Sequence, residues 1–411
     1  MPTIKRDILR IAKSRFFKGF CQDFSTMVAE KTLTIGLARL LSLQGYLGYD
    51  PDAIMVGFPD VTPTGGADRL QRGYSLGVVL KHNYSSFNKT KEPLVVLDPK
   101  VNCCGVLVAG FDNDLPTRAR VIKKVKELIS KKPTIEEVNI SVEKYFFGNH
   151  FINVYQGKLF KEKSKSWIVI HGSGEIRKDS KFGMGIYIDE SERLSNIARC
   201  YNTSLGPIYY LLGDEAYAFV KQCRKAEEIS IKARAYIAKK IVPDLKILCN
   251  VTHLTIVAPG SYYCGVYNVL SGAIYPFLIS ETDGVALIEA KENFSAEAIN
   301  LFKWGERARQ IDVYSILQSI NGLPHGGRKI YGQNQYKLVD VQFNGERIIY
   351  TVFDGKDKFD VTNFKSLKPI TYQGKDELID IQDIGLGDKV GELNFGAKGY
   401  SLNAGNLREL Q

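Results

Sequence analysis

The sequence predicts a mixed α and β fold, because two kinds of apolar pattern alternate along its 411 residues. One recurs every three to four positions, as in Ala216, Phe219, Cys223, Ala226, Ile229, Ala233 and Ile237, the period of a helix face. The other is short and strand-like. It includes the continuous run Trp167-Ile168-Val169-Ile170 and three alternating segments at 336–343, 347–353 and 358–361. Asn344-Gly345 and Asp354-Gly355, dipeptides that favour tight hairpins, join those three segments.

Taken in order, residues 1–50 read as helical, from Ile8, Ile11, Ala12, Phe16 and Phe17 and again over 32–43. Strands at 53–58 and 74–80 flank a turn-rich loop, Pro59-Asp60-Val61-Thr62-Pro63-Thr64-Gly65-Gly66. A short strand at 94–97 leads into a turn over 99–105. Residues 118–131 form a basic amphipathic helix, with Val121, Val125 and Ile129 on one stripe and six Lys/Arg elsewhere. Such a charge run reads as a solvated face before it reads as RNA contact. The run at 167–170 ends at His171-Gly172-Ser173-Gly174, a buried strand delivering a reactive side chain into a glycine turn. A long helix over 211–241 stops before Pro243. A strand over 246–257 contains His253, and a helix over 294–320 ends just before His325. The antiparallel meander follows. The chain has no internal repeat, low-complexity segment or linker.

Composition narrows the class. The 44% hydrophobic and 24% charged content is that of a globular protein. No run approaches the roughly 20 apolar residues of a membrane span. The opening Met-Pro-Thr-Ile-Lys-Arg-Asp lacks the apolar centre of a secretory signal. A cytoplasmic protein without membrane attachment is expected. Seven cysteines without a CxxC spacing then read as reduced thiols. The net charge of +10 favours a polyanionic partner: RNA, DNA or nucleotide phosphates. A basic protein with no such partner is the alternative.

Chemistry concentrates in the histidines. The chain has five, and four sit in short segments rich in Gly or Asn. These are Gly148-Asn149-His150-Phe151, Ile170-His171-Gly172, Asn250-Val251-Thr252-His253 and Pro324-His325-Gly326-Gly327-Arg328. Imidazoles so placed read as metal ligands or nucleophiles, and Cys104, in Cys103-Cys104-Gly105, would add a thiolate for softer ions. Any one alone reads as a core histidine; the set gains meaning only if it converges. His82 reads as structural or surface-exposed. There is no GxxxxGK[ST] loop, and Phe353-Asp354-Gly355 and Thr282-Asp283-Gly284 lack the lysine of a Lys-x-Asp-Gly motif. Phosphate activation would therefore fall to a histidine or a metal.

In chain order, Cys104-Gly105-Val106, Gly148-Asn149-His150-Phe151, Val169-Ile170-His171-Gly172-Ser173-Gly174, the strand histidine His253, His325-Gly326-Gly327-Arg328 and the late Lys398-Gly399 resemble the RtcB-type RNA ligases. Pro59-Asp60-Val61 is similar to that family's Pro-Asp-Val-His segment, with Thr62 in the histidine's place. Ser271-Gly272-Ala273 is similar to its Arg-Lys-Gly-Ala region. The resemblance runs from about Pro59 to Lys398.

It implies one α+β catalytic domain over 1–411, mixed sheets around a central basic, metal-containing cleft, and a β-meander insertion at 331–373. The activity implied joins RNA 3′-phosphate or 2′,3′-cyclic phosphate ends to 5′-hydroxyl ends, as in tRNA processing or RNA repair. The cofactors implied are GTP and two Mn²⁺ ions, and an archease-like activator is an implied partner. Cys104, His150, His171 and His253 match metal ligands. His325 matches the histidine that becomes guanylylated, Asn149 and Lys398 match nucleotide-contacting positions, and Phe151 lies beside the matching pocket.

Three departures stand out. Val101 occupies the position of a metal-binding aspartate, for which Asp98, Asn102 or Cys103 could substitute if the loop is reshaped. Asn153 replaces a glutamate, and Glu175 replaces a phosphate-holding arginine that Arg177 or Lys178 could supply. Competing readings are a metal-dependent phosphotransferase or phosphodiesterase with other nucleotide or end specificity, and a non-catalytic RNA-binding paralogue.

Overall fold

The computed structural model describes the chain except Met1 and residues 20–22, 65–66, 83–91, 113, 147, 161–164, 174–175, 281–282, 292–293, 333–334, 346, 404 and 406–411. Gly65, Gly66, Gly174, Glu175 and Thr282, all in the segments discussed above, lie outside the described residues. The fold is mixed α and β, with several sheets packed around two long helices.

The first helical region is two helices, Pro2–Ser14 and Phe24–Tyr46, with Phe16–Phe17 a short strand between them. Asp23 caps the second helix by accepting from the Thr26 amide, while the Thr26 hydroxyl oxygen accepts from the Asp23 amide. Val28, Leu33, Leu37, Leu40 and Leu43 of that helix are fully buried, so it runs through the core rather than over it. The other long helix, Gly213–Ile241, starts two residues later than the pattern suggests, because Leu211 and Leu212 end the strand Gly206–Leu212.

A five-stranded sheet runs in the order Phe16–Phe17, Ile54–Thr62, Leu76–Lys81, Ser261–Cys264, Leu254–Ala258. Its second strand continues through the segment expected to be a loop. Pro59 is tolerated there because the ladder to Leu76–Lys81 is interrupted between Gly57 and Thr62. The larger, eight-stranded sheet runs Lys246–Thr252, Gly105–Phe111, Lys165–Gly172, Phe151–Leu159, Gly387–Asn394, Gly284–Ala290, Ile274–Ser280. Tyr400–Asn403 pairs with the first half of Phe151–Leu159 and completes it.

Two expectations are corrected. The single strand over 246–257 is two strands on different sheets, Lys246–Thr252 and Leu254–Ala258, with His253 at the crossing. The helix over 294–320 is three short ones, Ala296–Leu301, Gly305–Gln310 and Tyr314–Gln318. Lys303 (φ 55°) and Asp312 (φ 54°) adopt left-handed backbone between them. Those reversals fold Trp304, Ala308, Val313 and Leu317 into one apolar cluster with Phe17 and Phe58, burial that a straight helix would not give.

The C-terminal meander pairs Lys337–Phe343 with Ile348–Phe353 and that strand with Lys358–Val361. Its base is closed by a ladder between Arg328–Tyr331 and Ile370–Gln373. It packs on the central helix: the Tyr350 and Thr32 hydroxyls share a hydrogen bond of 2.7 Å, and Phe364 sits edge-on to Phe24. In the basic helix Arg118–Lys131 the buried stripe is Val121, Val125 and Leu128, with Ile129 only half-buried. Among the described residues no helix is long and apolar enough to cross a membrane.

Candidate metal centre

The site forms where four neighbouring antiparallel strands end together. Register places Thr252, the last residue of Lys246–Thr252, opposite Gly105, the first of Gly105–Phe111. Gly105 in turn lies opposite Gly172. His171 lies opposite Phe151, the first residue of its own strand. Each strand therefore delivers its candidate residue to the same sheet edge: Cys104 just before one strand, His150 just before the next, His171 within a third and His253 just after the fourth.

Three donors meet there. Cys104 Sγ lies 3.2 Å from His171 Nε2 and 3.5 Å from His150 Nε2, and all three atoms fall within 4.8 Å of one another. Ligands of one transition ion stand about 3.2–3.6 Å apart, so the spacing fits a shared cation. Both rings are oriented from behind by backbone. His150 Nδ1 is 2.8 Å from the Lys144 carbonyl and His171 Nδ1 is 3.0 Å from the Asn149 carbonyl. With Nδ1–H donating to a carbonyl, Nε2 keeps its lone pair for a cation.

The rings continue outward. His171 and His253 have centroids 5.2 Å apart, and His253 and His325 4.3 Å apart. Burial pushes His150 below the ordinary imidazole range, and pushes His171 and His253 well below it, with the other histidines adding repulsion at those two. All three are neutral at pH 7, as a ligand must be. Burial pushes the Cys104 thiol up to about 12, against the pull of Arg234, Arg177 and Arg69; a bound cation would displace that proton. His253 Nδ1 is buried with no hydrogen-bond partner, an orphan that suits a metal donor.

His325 follows the strand Gly322–Pro324. Its Nδ1 lies 2.9 Å from Asp60 Oδ2, and the same oxygen accepts the Gly326 amide at 3.0 Å. Asp60 is fully buried, on the strand segment that continued where a loop was expected. Its grip leaves His325 Nε2 as the free nitrogen. His325 also lines a cavity of about 350 Å³ with Asn149, Phe151, Asn153, Ser280 and Tyr372. That is within the size range of small-ligand sites. Asn153 donates its amide to the Tyr155 hydroxyl at 2.7 Å, leaving its buried carbonyl oxygen without a partner.

No protein-family model matches the chain, and no curated protein matches it.

The structure thus brings Cys104, His150, His171, His253 and His325 together, with Asn149 and Phe151 at the cavity. Lys398 is exposed and does not line that cavity. His82 is buried and stacks on Tyr262, 5.8 Å between centroids.

The proposed substitutes for the absent aspartate all point elsewhere. Asp98 pairs with Arg72 at 3.0 Å, Asn102 accepts the Cys104 amide at 3.0 Å, and Cys103 Sγ lies 3.6 Å from the Cys223 carbonyl. Val101 itself is buried. Among the described residues one His/Cys/Asp/Glu group has metal-site geometry. Arg177 does reach back, donating to Ser173 Oγ at 3.2 Å.

Sequence reasoning gave no role to two residues. Asp60 was visible only through the Pro-Asp-Val resemblance. Arg234, fully buried beneath the cluster, donates to Asn250 Oδ1 at 2.8 Å and to the Gly172 carbonyl at 3.2 Å. Nothing local distinguishes it from the other basic residues of its helix.

Proposed function

We propose that this chain is a metal-dependent RNA ligase that joins RNA 3′-phosphate or 2′,3′-cyclic phosphate ends to 5′-hydroxyl ends through a nucleotidylated His325. The observation that carries the reading is the position of His325. One ring nitrogen is committed to Asp60, and the ring lines a nucleotide-sized cavity 4.3 Å from the next histidine of the cluster.

Cys104, His150 and His171 would hold a Mn²⁺ ion, and His253 would offer a donor to a second. The cation would supply charge neutralisation for the phosphate oxygens during displacement. His325 Nε2 attacks the α-phosphorus of GTP: an N–P bond forms, the bond to the β-phosphate oxygen breaks, and pyrophosphate leaves. Attack makes the ring cationic, and the Asp60 carboxylate 2.9 Å from Nδ1 stabilises that charge. GMP then passes to the RNA 3′-phosphate, and the 5′-hydroxyl oxygen displaces it. The net charge of +10 suits such a polyanion. A cytoplasmic setting and an archease-like activator belong to the same reading.

One observation favours a second reading, a phosphotransferase with another nucleotide. The unpaired carbonyl oxygen of Asn153 can accept from the amino group of adenine as readily as from guanine.

The test is to incubate the protein with α-labelled GTP or ATP and Mn²⁺, denature it, and count acid-labile label. The ligase reading expects label from GTP, none in His325→Ala, and joined product from RNAs bearing the two end types. Label from ATP alone turns the assignment to the second reading. No label from either, with RNA still bound, leaves a non-catalytic RNA-binding protein.

A further inference from the structure

The segment that carries Cys104 is held in a backbone shape it would not adopt by itself. Between the strands Leu94–Val96 and Gly105–Phe111, Lys100 (φ 49°) and Cys103 (φ 56°) both take the left-handed conformation that favours glycine. Such residues persist only where their surroundings over-determine them, and they gather at functional sites. Here the second stands next to a candidate metal ligand.

The surroundings are specific. The short helix Ala67–Gln71 grips the first turn with two successive side chains. Arg69 donates from Nε to the Pro99 carbonyl at 3.0 Å and from Nη2 to the Lys100 carbonyl at 2.7 Å. Successive carbonyls point opposite ways along an extended chain, whereas left-handed backbone at Lys100 turns both toward one guanidinium. Asp68 pairs with the Lys100 ammonium, as does Asp189, and Lys100 is buried. The Tyr187 hydroxyl is a second donor to the Lys100 carbonyl, at 3.5 Å. Arg69 makes no ion pair among the described residues; its fork of donors is engaged by the loop.

On its other side the segment is tied to the rest of the centre. Cys103 donates its amide to the Leu254 carbonyl at 2.9 Å, and His253 donates its amide to the Cys104 carbonyl at 2.9 Å. Asn102 Oδ1 accepts the Cys104 amide at 3.0 Å. Cys104 is therefore fixed between the grip on Pro99 and Lys100 and the crossing at His253. A cysteine sulfur has only three staggered positions, so the backbone decides whether Sγ reaches its place 3.2 Å from His171 Nε2.

We infer that Arg69 is a positioning residue for the metal centre: it holds the left-handed turn at Lys100 and thereby places Cys104 Sγ beside His150 and His171 before any cation arrives. The inference rests on the metal-binding part of the ligase reading and not on nucleotidyl transfer to His325.

The probe is Co²⁺ alone, titrated without oxygen into the full chain. A thiolate bonded to Co²⁺ gives a charge-transfer band in the near ultraviolet, while the visible bands report the whole ligand set. Wild type is expected to show both. Arg69→Met should weaken Co²⁺ binding by about 10–100-fold and, at saturation, reduce the charge-transfer band more than the visible bands. Arg69→Lys keeps a donor for one carbonyl and should recover part of both losses. Val352→Ala, at a fully buried position in the meander, is the control for general destabilisation, with a lower melting temperature and the wild-type spectrum expected. Unchanged affinity and spectrum in Arg69→Met overturn the inference. So does an equal loss in Val352→Ala, which would make the effect one of stability alone. If Arg69→Met does not fold, Arg69→Lys is decisive: a weakened thiolate band is expected, and a wild-type band overturns the inference. Wild-type protein that binds no Co²⁺ removes the metal centre and this inference together, whereas silent variants of a Co²⁺-binding chain remove the inference alone.

Discussion

The free nitrogen of His325 is set by one carboxylate. Asp60 Oδ2 receives both the imidazole Nδ1–H and the Gly326 amide, which fixes the ring's tautomer and its angle together. Asp60→Asn keeps the shape and removes the charge. The rate of labelling from GTP should fall by about 10²–10⁴-fold, with the melting temperature nearly unchanged. Wild-type labelling in this variant would mean that Asp60 is only a packing residue.

At this scale much was legible, because histidine is rare in the chain and the relevant ones stand near glycine or asparagine. What stayed hidden depends on distant neighbours. The direction of Asp98 is decided by Arg72, and the burial of Arg234 by strands from elsewhere in the chain. Neither can be read from adjacent residues.

At the scale of elements, strand pairing converts separations of dozens of residues into contacts of a few ångströms. The antiparallel order of four strands forces alternate starts and ends to one edge, so ligands need only stand at strand termini. His325 arrives differently, on an irregular segment pinned by a parallel bridge between Leu278 and Gly326. Gly326 has φ 88°, and a Cβ there would lie 2.1 Å from the Leu278 carbonyl oxygen. Gly326→Ala should therefore cost about 2–3 kcal/mol of stability, read from denaturant melts, and should displace His325 enough to abolish labelling. A variant as stable and active as wild type would contradict this account of the loop.

The hairpins at Asn344-Gly345 and Asp354-Gly355 were legible because turn chemistry is local. The division of 246–257 at His253 was not. Apolar alternation continues across it, and only the assignment of its halves to separate sheets reveals the break. The broken helix over 294–320 was hidden for a related reason: its left-handed residues are Lys303 and Asp312, not the glycines that usually mark such turns.

Across the whole molecule, the two sheets meet at the cluster. The eight-stranded sheet supplies Cys104, His150 and His171, the five-stranded sheet supplies Asp60, and His253 stands where the chain crosses between them. The meander grows from the ladder Arg328–Tyr331 with Ile370–Gln373, so its two ends leave the body side by side. Its attachment to the core through Tyr350 and Phe364 holds it against the central helix. The interior is thus built to hold neutral imidazoles and one thiol at a shared point.

The most direct measurement is an anomalous difference map from crystals grown with Mn²⁺. A peak bonded to Cys104 Sγ, His150 Nε2 and His171 Nε2, lost in His150→Ala crystals, is the predicted result. A map with no peak at that point, or with Mn²⁺ bound only elsewhere, would contradict the account.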